Sequence, residues 1–252
     1  MTIHQTLFAT YDNPLVLCDS ADFDGTNDYM LRGGGLTGAA DSKTGIFSCW
    51  YRIDGGDGNL RYLMQGVVSG ITSRFRVWQA QTTNLIEVTG MNAAGGTILK
   101  LQSSAYTAGA TWLHILASWN LATPISSLYI NDVDDNTPTL TDDTIDYTVA
   151  DWAIATRTDA AGKLDGCLAE FYFAPGQYLD FSNVYNRRKF ISATGKPVSL
   201  GATGSLPTGT APIVYQRVAN AAAVATFATN LGTGGDFTIT GTLATGSTSP
   251  SD

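Results

Sequence analysis

The chain has 252 residues, with 22 acidic and 14 basic side chains, a formal net charge of −8 and only 14% charged residues. It offers no basic stripe for a nucleic-acid backbone, and no run approaches the ~18 apolar residues of a membrane-spanning helix. Its 27 glycines, with abundant Thr, Ser and Asn, are the composition of strands joined by tight turns.

The first residues, MTIHQTLFATYDNP, have no basic segment followed by an apolar core, so the expectation is a chain without a signal peptide that folds in a reducing cytoplasm. Residues 1–21 read as an N-terminal arm. Cys18, Cys49 and Cys167 make an odd count without a CxxC pair, which speaks against a disulfide framework or zinc knuckle, and Cys49 and Cys167, inside strand-like apolar runs, are expected to be buried free thiols.

Two-residue alternation then dominates. Strands are predicted at FSCWYRI (47–53), LRYLMQG (60–66), RFRVWQ (74–79), LIEVT (85–89), TILKLQ (97–102), WLHILASW (112–119), SSLYIN (126–131), DWAIAT (151–156) and CLAEFYF (167–173). PIVYQ (212–216) and DFTITGTL (236–243) follow later in the chain. FSCWY is apolar on both faces, as suits a strand covered on both sides. LDFSNVYNRRKFI predicts one helix within 180–192, capped by Asp180 or Ser182, with Phe181, Val184, Tyr185 and Ile191 apolar and Arg187, Arg188 and Lys189 toward its C-terminus. Beyond it, 196–252 is a Gly-, Thr- and Pro-punctuated meander with few large apolar side chains. It is expected to pack on the same domain, end in a closing strand and be held largely by partners. The fold class is all-β: a two-sheet antiparallel jelly-roll sandwich with below about 10% helix, its body spanning 22–195.

Several segments, in this order, resemble laminin G–like or concanavalin A–like jelly rolls: FDGTNDYM (23–30), FSCWYRI (47–53), ATWLHILASWN (110–120), SLYIND (127–132) and GKLDGCLAEFYF (162–173). Asp132 departs from that pattern, which has Gly after the Asn. Residues 176–252 resemble the C-terminal part of laminin G–like proteins of tailed bacteriophages and prophages. That resemblance implies a non-enzymatic virion structural protein on capsid or tail, with other virion proteins, copies of itself and a host-surface glycan as partners. The alternative is a carbohydrate-binding module or adhesin acting on host polysaccharide, with a glycoside hydrolase behind both.

The residues bear on these readings directly. Glycosidases need two carboxylates about 5–10 Å apart. The only glutamates, Glu87 and Glu170, fall in different predicted strands, so no catalytic residue is assigned. His114 sits between Trp112 and Leu116 without a nucleophile signature and reads as structural. In IDGGDGN, Asp54, Asp57 and Asn59 form an oxygen-rich loop of the kind that holds Ca2+, although Asp, Asn and Gly are also ordinary turn residues. A second acidic loop spans 132–143. Arg74, Arg76 and Trp78 share one strand face and form the candidate ligand-binding surface, since an aromatic ring beside forked donors suits sugars and carboxylates.

Overall fold

The computed structural model describes residues 15, 18–218 and 220–252, so most of the expected N-terminal arm (1–21), His4 included, lies outside the described residues. In chain order the strands are β1 (Ala21–Asp24), β2 (Tyr29–Gly33), β3 (Thr44–Ile53), β4 (Arg61–Val67), β5 (Ser73–Gln79), β6 (Leu85–Met91), β7 (Thr97–Ala105) and β8 (Trp112–Asn120). There follow β9 (Ile125–Ile130), β10 (Val133–Asp134), β11 (Thr137–Leu140), β12 (Asp151–Ile154), β13 (Asp165–Pro175), β14 (Val214–Gln216), β15 (Thr238–Thr240) and β16 (Ala244–Thr245). They form two antiparallel sheets. The first runs β10-β9-β8-β3-β13-β1-β16, with β14 beside the second half of β13; the second runs β11-β7-β6-β5-β4-β12-β2-β15. This is the jelly-roll sandwich expected from the alternation.

Between the sheets, alternate residues interdigitate around an aromatic centre. Phe75 of β5 stacks on Phe173 of β13 at 4.7 Å, Trp152 lies 5.7 Å from Phe173, and the Trp119 indole donates to Tyr147 Oη at 3.1 Å. Trp119 leaves no room for a side chain at position 45, which is why β3 carries Gly45 there. At both lateral edges the chain steps from one sheet to the other, from β10 to β11 on one side and from β15 to β16 on the other. Very short strands blunt both edges against further pairing.

The C-terminal stretch departs from expectation. Val198, Leu200, Val214, Tyr215, Val218, Phe227, Phe237 and Leu243 are all buried, so 196–252 has more core contacts of its own than its composition suggested. With Phe181 and Phe190, several of these cover the outer face of the first sheet over Ile46, Leu116, Tyr129 and Tyr172. That layer explains why β3 and β13 are apolar on both faces. A 3-10 helix at Ala221–Ala228, capped by Asn220, was not anticipated.

The helix is shorter than expected. Helix α1 covers Val184–Arg187 only, and its N-cap is Asn183, whose side chain accepts the Tyr185 N–H, in place of Asp180 or Ser182. Asp180 instead accepts from Ser182 N (2.9 Å) and Ser182 Oγ (2.7 Å). Phe181 and Phe190 anchor the segment by packing edge-on at 5.6 Å on either side of the single turn. A turn fixed at both ends by burial has no need to propagate, and helix nucleation is costly. Arg187 and Arg188, expected to serve the helix end, reach the β9–β10 turn and bind Asp132 at 2.5 and 2.7 Å. There Asn131 and Asp132 both have positive φ (51° and 66°), the backbone of a tight hairpin turn. Burial tends to raise the Asp132 carboxyl, but Arg188 and Arg187 hold it below the usual range.

Candidate functional site

On the outer face of the first sheet, register pairs Trp50 of β3 with His114 of β8, and Arg52 with Trp112. Trp50 packs on the His114 ring at 4.7 Å, and His114 Nε2 meets Ser48 Oγ at 3.0 Å. Burial depresses the imidazole to about 3, so it is neutral and structural, as its sequence context suggests. The Arg52 guanidinium sits 5.7 Å over the Trp112 ring. Thr248 of the C-terminal tail accepts from both Arg52 Nη1 (2.5 Å) and Trp112 Nε1 (3.2 Å), which straps the tail across this face.

Between that strap and the 191–196 turn lies an open cavity of about 350 Å3, lined by Trp50, Trp112, Asn131, Lys196, Ser249 and Asp252 among others. Asn131 is fixed as a rim residue: its Oδ1 accepts the His114 N–H at 2.7 Å and its Nδ2 donates to Trp112 O at 3.2 Å. Ser249 N donates to Asp252 Oδ2 at 2.7 Å, orienting that carboxylate. Sequence reading missed this site. Its only local signal was Trp50 and Trp112 on the outward-facing positions of neighbouring strands; Lys196 and Asp252 arrive from distant chain.

Arg74, Arg76 and Trp78 of β5 are engaged differently. Arg74 is buried and committed, donating to Ala93 O (3.0 Å) and Ser73 O (3.1 Å) and lying 3.4 Å from Asp146. Arg76 lies over the Trp78 ring at 4.3 Å, and Trp78 stacks on Tyr62 at 5.9 Å. Arg76 and Trp78 are therefore together and partly exposed, whereas Arg74 serves the loop beyond them.

In the 54–59 loop each carboxylate has partners of its own. Asp54 is gripped by Arg52 at 2.6 and 2.8 Å, and Asp57 accepts the Ala108 N–H (3.0 Å) and an Arg61 Nη (3.2 Å), while Asn59 is exposed. Asp54 instead converges with Asp22 and Cys167, whose candidate ligand atoms lie within 4.8 Å of one another; among the described residues no other trio of His, Cys, Asp or Glu does so. Burial, and then Asp54, raise the Asp22 carboxyl, and Arg52 already supplies a cation to this cluster. All three cysteines are buried and free.

The glutamates are far from a catalytic pair. Glu87 stands on β6 of the second sheet, 2.7 Å from Gln102 Nε2. Glu170 occupies a bulge in β13 with φ of 46°, accepts from Tyr215 Oη at 2.6 Å and faces Arg217 at 3.5 Å. Burial raises the Glu170 carboxyl.

No family model matches the sequence, and no curated protein matches it. Solved structures do. A predicted carbohydrate-binding protein from Bacteroides ovatus superposes with a TM-score of 0.57 at 10% identity, covering 81% of this chain and 52% of that one. The heptameric SAP-like pentraxin of Limulus polyphemus gives 0.51 at 11% identity, over 68% of this chain and 82% of that one. The LG1–3 region of the laminin α2 chain gives 0.46 at 14% identity, over 61% and 30%. The chain spans about half the length of the Bacteroides protein. The fold is thus a two-sheet jelly roll like that of the pentraxin. Among the described residues no helix is long and apolar enough to cross a membrane.

Proposed function

We propose that the protein is a carbohydrate-binding module whose site is the cavity on the outer face of the first sheet. The observation that carries this reading is Trp50 and Trp112 together lining a concave space that also presents Lys196 and Asp252. A pyranose has an apolar C–H face that packs on indole and a rim of hydroxyls that each donate and accept. Lys196 supplies donors and Asp252 an acceptor, and about 350 Å3 falls within the range of small-molecule sites. The carbohydrate-binding role predicted for the Bacteroides structure agrees with the reading. The module is non-catalytic in this proposal, because Glu87 and Glu170 stand on different sheets and Glu170 is taken up by Tyr215 and Arg217. Its finer setting, a bacteriophage particle with other virion proteins as neighbours, is supported by the sequence resemblance of 176–252, and co-purification with particles tests it.

The direct test is a glycan array with the full chain, followed by calorimetry on each hit. Trp112→Ala is expected to weaken binding at least tenfold (about 1.4 kcal/mol) without reducing-sugar release from any hit by the parent protein. Absence of any glycan hit, or affinity unchanged in both Trp112→Ala and Lys196→Ala, refutes the site.

A further inference from the structure

The outer face of the second sheet holds an arrangement that the cavity reading leaves unused. Cross-strand register sets Gln65, Arg76, Thr89, Lys100 and Thr139 in one row across β4, β5, β6, β7 and β11. Neighbours in such a row stand about 4.5–5.5 Å apart at Cβ, so Arg76 and Lys100 flank Thr89 directly.

Thr89 is 2% exposed, and its hydroxyl has no hydrogen-bond partner. Arg76 Nε and Trp78 Nε1, on the same face, are likewise buried without partners. Buried polar atoms are nearly always satisfied, so three orphans on adjoining strands call for a missing partner. They share a chemistry: each can donate. Arg76 makes no ion pair among the described residues. Its guanidinium is instead held over the Trp78 indole at 4.3 Å, which orients the fork without using it.

Two ion pairs lie along this row. Arg74 lies 3.4 Å from Asp146, and Lys100 lies 3.7 Å from Glu87, which also accepts from Gln102. Of the three cations Arg74, Arg76 and Lys100, Arg76 alone has no carboxylate beside it. The Lys100–Glu87 contact is too long for a hydrogen bond, so Lys100 can turn to a ligand at little cost.

We infer that Arg76, Thr89 and Lys100 form an oxyanion site that takes a carboxylate or sulfate group. Arg76 offers its fork, Thr89 its hydroxyl proton and Lys100 its ammonium, with the Trp78 indole beside the seat. The site is separate from the Trp50–Trp112 cavity and stands whether or not that cavity binds sugar.

The test titrates the full chain with sodium sulfate and, separately, sodium glucuronate, with glucose as the uncharged control, following intrinsic tryptophan fluorescence and heat. Saturable binding of at least one anion is expected, weakening as sodium chloride is added. A response to both anions or to one supports the site and reports whether tetrahedral or planar oxyanions fit it. Arg76→Gln should lose at least tenfold in affinity, and Arg76→Lys should retain part of it. Thr89→Val should also weaken binding yet leave the thermal midpoint no lower than that of the parent, because the hydroxyl has no partner in the free protein. Trp112→Ala should leave the anion response intact. An absent response to both salts, affinity undiminished in Arg76→Gln and Thr89→Val, or loss of the response in Trp112→Ala each overturns the inference.

Discussion

Replacing His114 by Phe should make the protein less stable at neutral pH and more stable in acid. The ring stays neutral in the fold because burial depresses it to about 3, against about 6.5 in an unfolded chain. A native pKa below the unfolded one means that stability is full above pH ~6.5 and is lost as the pH falls toward 3, since only the unfolded chain takes up the proton. The loss approaches about 1.4 kcal/mol per pH unit, near 3 kcal/mol by pH ~4.5. Phenylalanine keeps the packing on Trp50 but strands Ser48 Oγ, a buried hydroxyl at 3.0 Å from the imidazole, at a pH-independent cost of about 1–2 kcal/mol. Carboxylates contribute with both signs: Asp22, Asp165 and Glu170 are raised by burial, while Asp24 and Asp159 are lowered chiefly by hydrogen bonds, from the Asn27 backbone and from Arg157 respectively. These terms are common to both proteins and cancel in the difference. Urea unfolding at pH ~7 and ~4.5 should therefore show the stability order of parent and variant invert. A gap that stays constant with pH would refute a neutral buried His114.

Two further outcomes follow from the packing. Asp132→Gly should cost less than Asp132→Ala by about 1 kcal/mol in thermal or urea unfolding, because both lose Arg187 and Arg188 but only glycine relieves the φ of 66°. Truncation after residue 195 should abolish folding, read as loss of the cooperative transition. It strips Val198, Leu200, Tyr215, Phe227 and Phe237 from buried positions at about 1.5–3 kcal/mol each, a sum comparable to the whole stability of a typical domain.

Strand identity was legible in the residues themselves. A half-buried strand repeats every two residues whatever it packs against, and FSCWY, apolar on both sides, announced a strand covered on both faces. The shared face of Arg76 and Trp78, the buried Cys49 and Cys167 and the structural His114 could be read for the same local reason. What the residues did not show depends on partners far along the chain. Arg74 is engaged because Asp146 and Ala93 reach it, and Asp54 and Asp57 have separate partners, Arg52 for one and Arg61 and Ala108 for the other. The tail looked poor in apolar residues, yet a few well-placed side chains cap a sheet face already half built. The strand expected at 236–243 is there as β15, whereas strands of two residues, such as β10 and β16, are too short to carry a period, so only tertiary pairing makes them the edges of the first sheet. The cavity is the extreme case: Trp50 and Trp112 belong to local pattern, but Lys196 and Asp252 join them only because the chain folds back across the first sheet, and concavity is a property of that layering alone.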